Sequence, residues 1–94
     1  MGLSHRGRDR YNDRTHCRAV LLMVHRFGSR LKELRLERGW RQKEVEAMLS
    51  LRPGAVSQYE RGRREPGFDL LLAFADLFGV SVDYLLGRPG AARR

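Results

Sequence analysis

The chain has a single cysteine, Cys17, which excludes an internal disulfide and leaves packing as the source of stability. Three prolines and ten glycines in 94 residues exclude a collagen-like or low-complexity chain. Hydrophobic residues at 41% and charged residues at 32% give instead the balance of one small soluble domain. The N-terminal third holds no apolar run longer than the six residues Ala19 to Val24, against roughly 20 for a spanning helix. No membrane association and a cytoplasmic location are therefore expected. Histidine is absent after His25, so no Ser or Cys nucleophile in the rest of the chain has an imidazole base, and a non-enzyme is expected. His5, His16, Cys17 and His25 lack the spacing of a compact zinc site; neither a metal nor a cofactor is expected. A mass of 10.9 kDa leaves no room for a separate ligand-sensing domain, so a small-molecule ligand is not expected.

What the chain has is positive charge. Nineteen basic residues, 17 of them arginine, against 11 acidic give a net charge of +8, which suits a polyanionic partner. The excess is divided evenly: residues 1–26 carry six Arg and two Asp, and the remainder 13 basic and nine acidic residues, so each part is +4. Charge alone does not say which part binds.

Residues 1 to 18 have almost no aliphatic side chain and read as a mobile basic tail. Ala19 to Val24 is compatible with a strand, a helix extension or a docking segment, and Met23 within it offers an alternative translation start. The division expected is a tail over 1–26, a folded domain over 27–87 and a basic C-terminal tail over 88–94.

Within the domain, glycines 39, 62 and 79 punctuate helical periodicity, and no strand pattern competes with it. Phe27, Leu31 and Leu34 mark a first helix; Val45, Met48 and Leu49 a second. Pro53 suits the first turn of a third, predicted over 53–61, with Val56 and Tyr59 inward. Phe68, Leu71, Leu72, Ala75 and Phe78 form the core face of a fourth, with Leu70, Ala73 and Leu77 as a second apolar stripe. Ser81 caps a short fifth helix, and Asp83 suits the positive end of its dipole. Trp40 reads as a core plug rather than a binding aromatic. The fold class expected is all-α, a compact five-helix domain.

Two short helices joined by a tight turn can set one helix in a DNA major groove while the other braces it. The segments RLKELR, ERG, SQYERGRREP and GVSVDYLLG, in that order within Phe27 to Gly87, resemble the lambda-repressor-like helix-turn-helix domain of the Cro and Xre type. The resemblance implies that Gln42 contacts a phosphate, that 53–61 is the recognition helix, and that Ser57 and Gln58 touch bases or phosphates. It further implies that Glu60 pairs with Arg35 to brace that helix.

The departures from the family pattern are specific. Arg41 and Arg52 stand where relatives have Ser or Thr before the second and third helices. Losing such a cap costs about 1 kcal/mol, and a cation there opposes the helix dipole. DNA phosphate near both helix ends would compensate; an arginine-biased proteome that tolerates surface changes is the alternative. Pro53 and Gly54 occupy the base-facing positions at the head of the recognition helix without a hydrogen-bonding side chain. Ser50 replaces the usual turn glycine, and Glu46 the usual small residue between the helices, with its polar atoms tilted outward or the interhelical angle altered.

The expected function is a sequence-specific DNA-binding transcriptional regulator, a dimeric repressor reading double-stranded DNA. The contact set is Arg41, Gln42, Arg52, Pro53, Gly54, Ala55 (against a thymine methyl), Ser57, Gln58, Arg61 and Arg63. The homodimer is expected to form through the second stripe of the fourth helix or the C-terminal helix. The rival, favoured by Pro53 and Gly54, is an antitoxin-like or adaptor interaction module on the same scaffold.

Overall fold

The computed structural model describes the backbone from residue 15 and side chains from Arg18. Residues 1–14, most of the expected tail, lie outside the described residues. Five helices follow: α1 (Thr15–Glu37), α2 (Gln42–Met48), α3 (Ala55–Glu60), α4 (Phe68–Phe78) and α5 (Val82–Leu85). No strand occurs among the described residues.

α1 differs most from expectation. It runs unbroken for 23 residues, about 34 Å at 1.5 Å per residue, so Ala19 to Val24 is a helix extension and the 26/27 boundary falls inside a helix. Val20, Met23 and Val24 continue the stripe of Phe27 and Leu31, which is why helical periodicity extends past the domain edge. The expected C-terminal tail also folds back: the Ser81 hydroxyl donates to the Ala92 carbonyl at 2.8 Å, and Arg93 forks onto Glu37 at 2.6 and 2.8 Å.

The core is aromatic. Phe27, Tyr59 and Phe74 meet edge to face at 5.6 to 6.2 Å, with Leu31, Leu34, Val45, Val56, Phe78 and Leu85 around them. Trp40 is half-buried against Phe78, ring centres 5.7 Å apart. α4 is rotated from the expected face: Phe74, Ala75 and Phe78 are buried while Phe68 is 87% and Leu72 55% exposed. Leu70, Ala73 and Leu77, the expected second stripe, are half-buried. In α2 Met48 is exposed, and Glu46 takes the buried place beside Val45.

α1 packs on α3 and α5, and α2 packs on α3. The α1–α3 crossing depends on Gly28: a Cβ there would lie 2.5 Å from the Tyr59 carbonyl oxygen and 2.7 Å from that of Glu60. Helix backbones approach this closely only where a side chain is missing.

Candidate nucleic-acid interface

α2 ends in a Schellman motif with Ser50 as the left-handed residue, φ 55°. Leu51 N–H reaches the Glu46 carbonyl at 2.8 Å, and Ser50 N–H that of Ala47 at 3.3 Å. Serine therefore fills the role of the usual turn glycine, at the cost of a left-handed side-chain-bearing residue.

The start of α3 corrects the expected helix of 53–61. Pro53 and Gly54 lie in a turn closed by Ala55 N–H on the Arg52 carbonyl at 3.0 Å. Gly54 has φ 88° and ψ −8°, the third position of a type II turn, and Pro53 supplies the fixed φ of the second. A left-handed residue cannot continue a right-handed helix, so α3 begins at Ala55 and ends at Glu60.

Its N-terminus is capped from α2. One Glu46 carboxylate oxygen accepts from Gly54 N–H at 3.0 Å and Val56 N–H at 3.1 Å, and Glu46 is 7% exposed. The polar atoms thus point inward, not outward, and the cap missing at Arg52 is replaced within the protein. At α2, Arg41 N–H donates to the Glu44 carboxylate at 2.6 Å, half of a capping box. At α3 the N–H groups of Gly54, Ala55 and Val56 are thus met within the protein, whereas at α2 Glu44 meets only that of Arg41.

The other end of α3 is clamped to α1. Arg35 donates through Nε at 2.6 Å and Nη2 at 3.1 Å to the two oxygens of Glu60, and through Nη1 to the Trp40 carbonyl at 2.9 Å. The two side chains are 10% and 4% exposed. The expected brace between first and third helices is present. Gln42 joins it by donating to Glu60 at 2.9 Å, which holds the side chain that the resemblance assigns to phosphate.

Ala55, Val56 and Tyr59 are buried, so helical spacing turns Ser57, Gln58 and Arg61 to the opposite side. Lys32, Gln42, Ser57 and Arg61 border a hollow of about 240 Å³ floored by the Arg35–Glu60 pair. Arg41 and Lys43 flank the start of α2, Arg52 precedes the turn, and Arg61, Arg63 and Arg64 follow α3. All six are exposed, and none pairs with an acidic group among the described residues. Ala55 belongs to the core at 9% exposure, which leaves little of its methyl group free to meet a thymine methyl. Pro53 and Gly54 stay exposed at the head of α3.

A short outward-facing helix, locked at both ends and backed by a second helix across a tight connection, defines a helix-turn-helix domain. The family profile described as Helix-turn-helix matches residues 31–85, more than half of the chain, and the chain belongs to that family. It is 42% identical over 68 residues to the HTH-type transcriptional regulator ImmR of Bacillus subtilis, covering 72% of this chain and 54% of that protein. It is 37% identical over 59 residues to the HTH-type transcriptional regulator AnsR of the same organism, covering 63% and 51%. With DdrOP3 of Deinococcus deserti, also an HTH-type transcriptional regulator, identity is 39% over 57 residues, covering 61% and 44%. The chain spans about half the length of these relatives.

Proposed function

We propose that the protein is a sequence-specific DNA-binding transcriptional regulator, acting as a dimeric repressor in the cytoplasm with α3 in the major groove. The observation that carries this reading is the clamped α3, with Ser57, Gln58 and Arg61 outward and unpaired arginines at its rim. Arg41, Arg52, Arg61 and Arg63 contact phosphates and hold the protein on DNA, and Gln58 supplies the base readout. With Pro53 and Gly54 side-chain-silent and Ala55 buried, much of the specificity comes from DNA shape.

A mobility shift on the protein's own promoter region, with random duplex as competitor, tests the reading. Selection from random oligonucleotides should return a short or degenerate motif, relaxed more by Gln58→Ala than by Arg63→Ala. Binding no tighter than to random duplex would favour the interaction-module reading, which the turn at Pro53 and Gly54 supports. Residues 1–14, with Arg6, Arg8, Arg10 and Arg14, add affinity without specificity; their removal lowers the salt slope by about 0.9 for each phosphate they neutralise.

The second copy docks on the apolar surface between α1 and α4. Val20, Met23 and Val24 there face Phe68 and Leu71 across a groove of about 210 Å³. The half-buried Leu77 is a poorer interface residue than the sequence pattern suggests, and Phe68→Glu is the cleaner probe. Sedimentation at micromolar concentration should show a dimer that this substitution dissociates without unfolding. A folded monomer before and after would remove the dimer from the proposal.

A further inference from the structure

α1 turns one stripe toward α3, on which Gly28, Lys32 and Arg35 recur at i, i+4 and i+7. Gly28 lies against the Tyr59 and Glu60 carbonyls, and Arg35 forks onto Glu60. Lys32, between them on the stripe, is exposed and has no acidic group at ion-pair distance among the described residues. It borders the hollow of about 240 Å³ beside α3, with Ser57 and Arg61 across it. The Arg35–Glu60 pair that floors the hollow is neutral as a unit, so Lys32 and Arg61 leave two positive charges in excess around it.

Within the protein alone this arrangement is unfavourable: Lys32 and Arg35 are like charges three residues apart on one helix, and Arg61 has no acid of its own. An anion in the hollow reverses the sign of the effect, and the Ser57 hydroxyl can donate to it. Gln42, on the same rim, is engaged, its amide donating to Glu60 at 2.9 Å. Ser57 and Arg61 share the outward side of α3 with Gln58, so an anion held here lies at the edge of the groove that α3 enters, where the DNA backbone runs.

We propose that Lys32 holds a DNA-backbone phosphate over the Arg35–Glu60 pair, with Arg61 as the second cation, and that Gln42 serves this site by holding Glu60. The proposal rests on the DNA-binding reading and adds to it a contact from α1, a helix which that reading leaves out of the interface.

The test uses the full chain, thermal melting, and affinity for a random-sequence duplex measured against salt. Lys32→Ala should leave the melting temperature unchanged or higher, because a like-charge neighbour of Arg35 is removed. It should weaken binding about fivefold and lower the salt slope by about 0.9, one phosphate contact. Lys32→Arg should keep the slope. Arg94→Ala removes an equal charge outside the hollow, beside Gly79, and should lower the slope much less. Gln42→Ala should lower the melting temperature and leave the slope unchanged.

A slope that Lys32→Ala leaves unchanged, or that Arg94→Ala lowers as much, overturns the contact; wild-type binding then leaves the DNA-binding reading intact. Weaker binding by Gln42→Ala at an unchanged melting temperature overturns the role given to Gln42. Failure of wild type to bind any duplex overturns the underlying reading and this contact with it, whatever the melting data show.

Discussion

The two ends of α3 are held by the same chemical group in two different ways. At the C-terminal end the Glu60 carboxylate meets a guanidinium bidentately and a glutamine amide, in contact with α1 and α2. At the N-terminal end the Glu46 carboxylate meets two backbone N–H groups and no cation among the described residues. A six-residue helix is far too short to be stable alone, so both ends must be fixed by neighbours. An ion pair thus locks α3 to α1, whereas a helix-dipole cap locks it to α2. Removing one partner strands a buried charge at the first site and loose backbone donors at the second.

The largest expected effects lie at the C-terminal end. Gly28→Ala places a methyl group against the Tyr59 and Glu60 carbonyls and should destabilise by about 3 kcal/mol, α1 having to move off α3. Denaturant melts check the sign as well as the size, because Gly to Ala in an unobstructed helix would stabilise by about 1 kcal/mol.

Next, Arg35→Ala and Glu60→Ala should each cost about 3 kcal/mol, and the double mutant much less than their sum, since neither charge is then stranded. Additive losses would break the contrast by making the pair no stronger than an exposed one.

At the N-terminal end, Glu46→Ala should cost about 2 kcal/mol, because two hydrogen bonds to a charged acceptor disappear but no cation is left behind. Amide exchange should then quicken at Gly54 and Val56 and stay slow at the Glu60 end. Uniform loss of protection along α3 would show that the two locks are not independent.

The smallest effect has the opposite sign. Ser50→Gly relieves a left-handed serine in the connection and should stabilise by about 1 kcal/mol, raising the melting temperature by a few degrees.

Much of this was legible locally. The order of the helices, the Ser81 cap on Tyr84 N–H at 3.0 Å and the glycine stops at 39 and 79 follow from spacings of three to five residues. The Arg35–Glu60 pair was legible only through the family resemblance. At the start of α3, Pro53-Gly54 carries the signature of a type II turn, but Pro53 equally suits a first helical turn, and the sequence does not choose between the two. On α4, apolar residues cover so much of the circumference that spacing does not choose between the face of Phe68 and Leu72 and the face of Phe74 and Phe78.

By itself, then, the sequence determined that five helices follow one another in this order, though not where the first and third begin, because periodicity and turn chemistry act between near neighbours in the chain. Only the tertiary structure decided that Glu46 turns inward, that Gly28 is a contact point, that Ala55 is core, and that the α1 extension flanks an apolar groove. Each of these depends on how closely two helices cross. A carboxylate between α2 and α3 either finds the N–H groups of Gly54 and Val56 within 3.1 Å or must stay in water, and no spacing within one helix carries that distance.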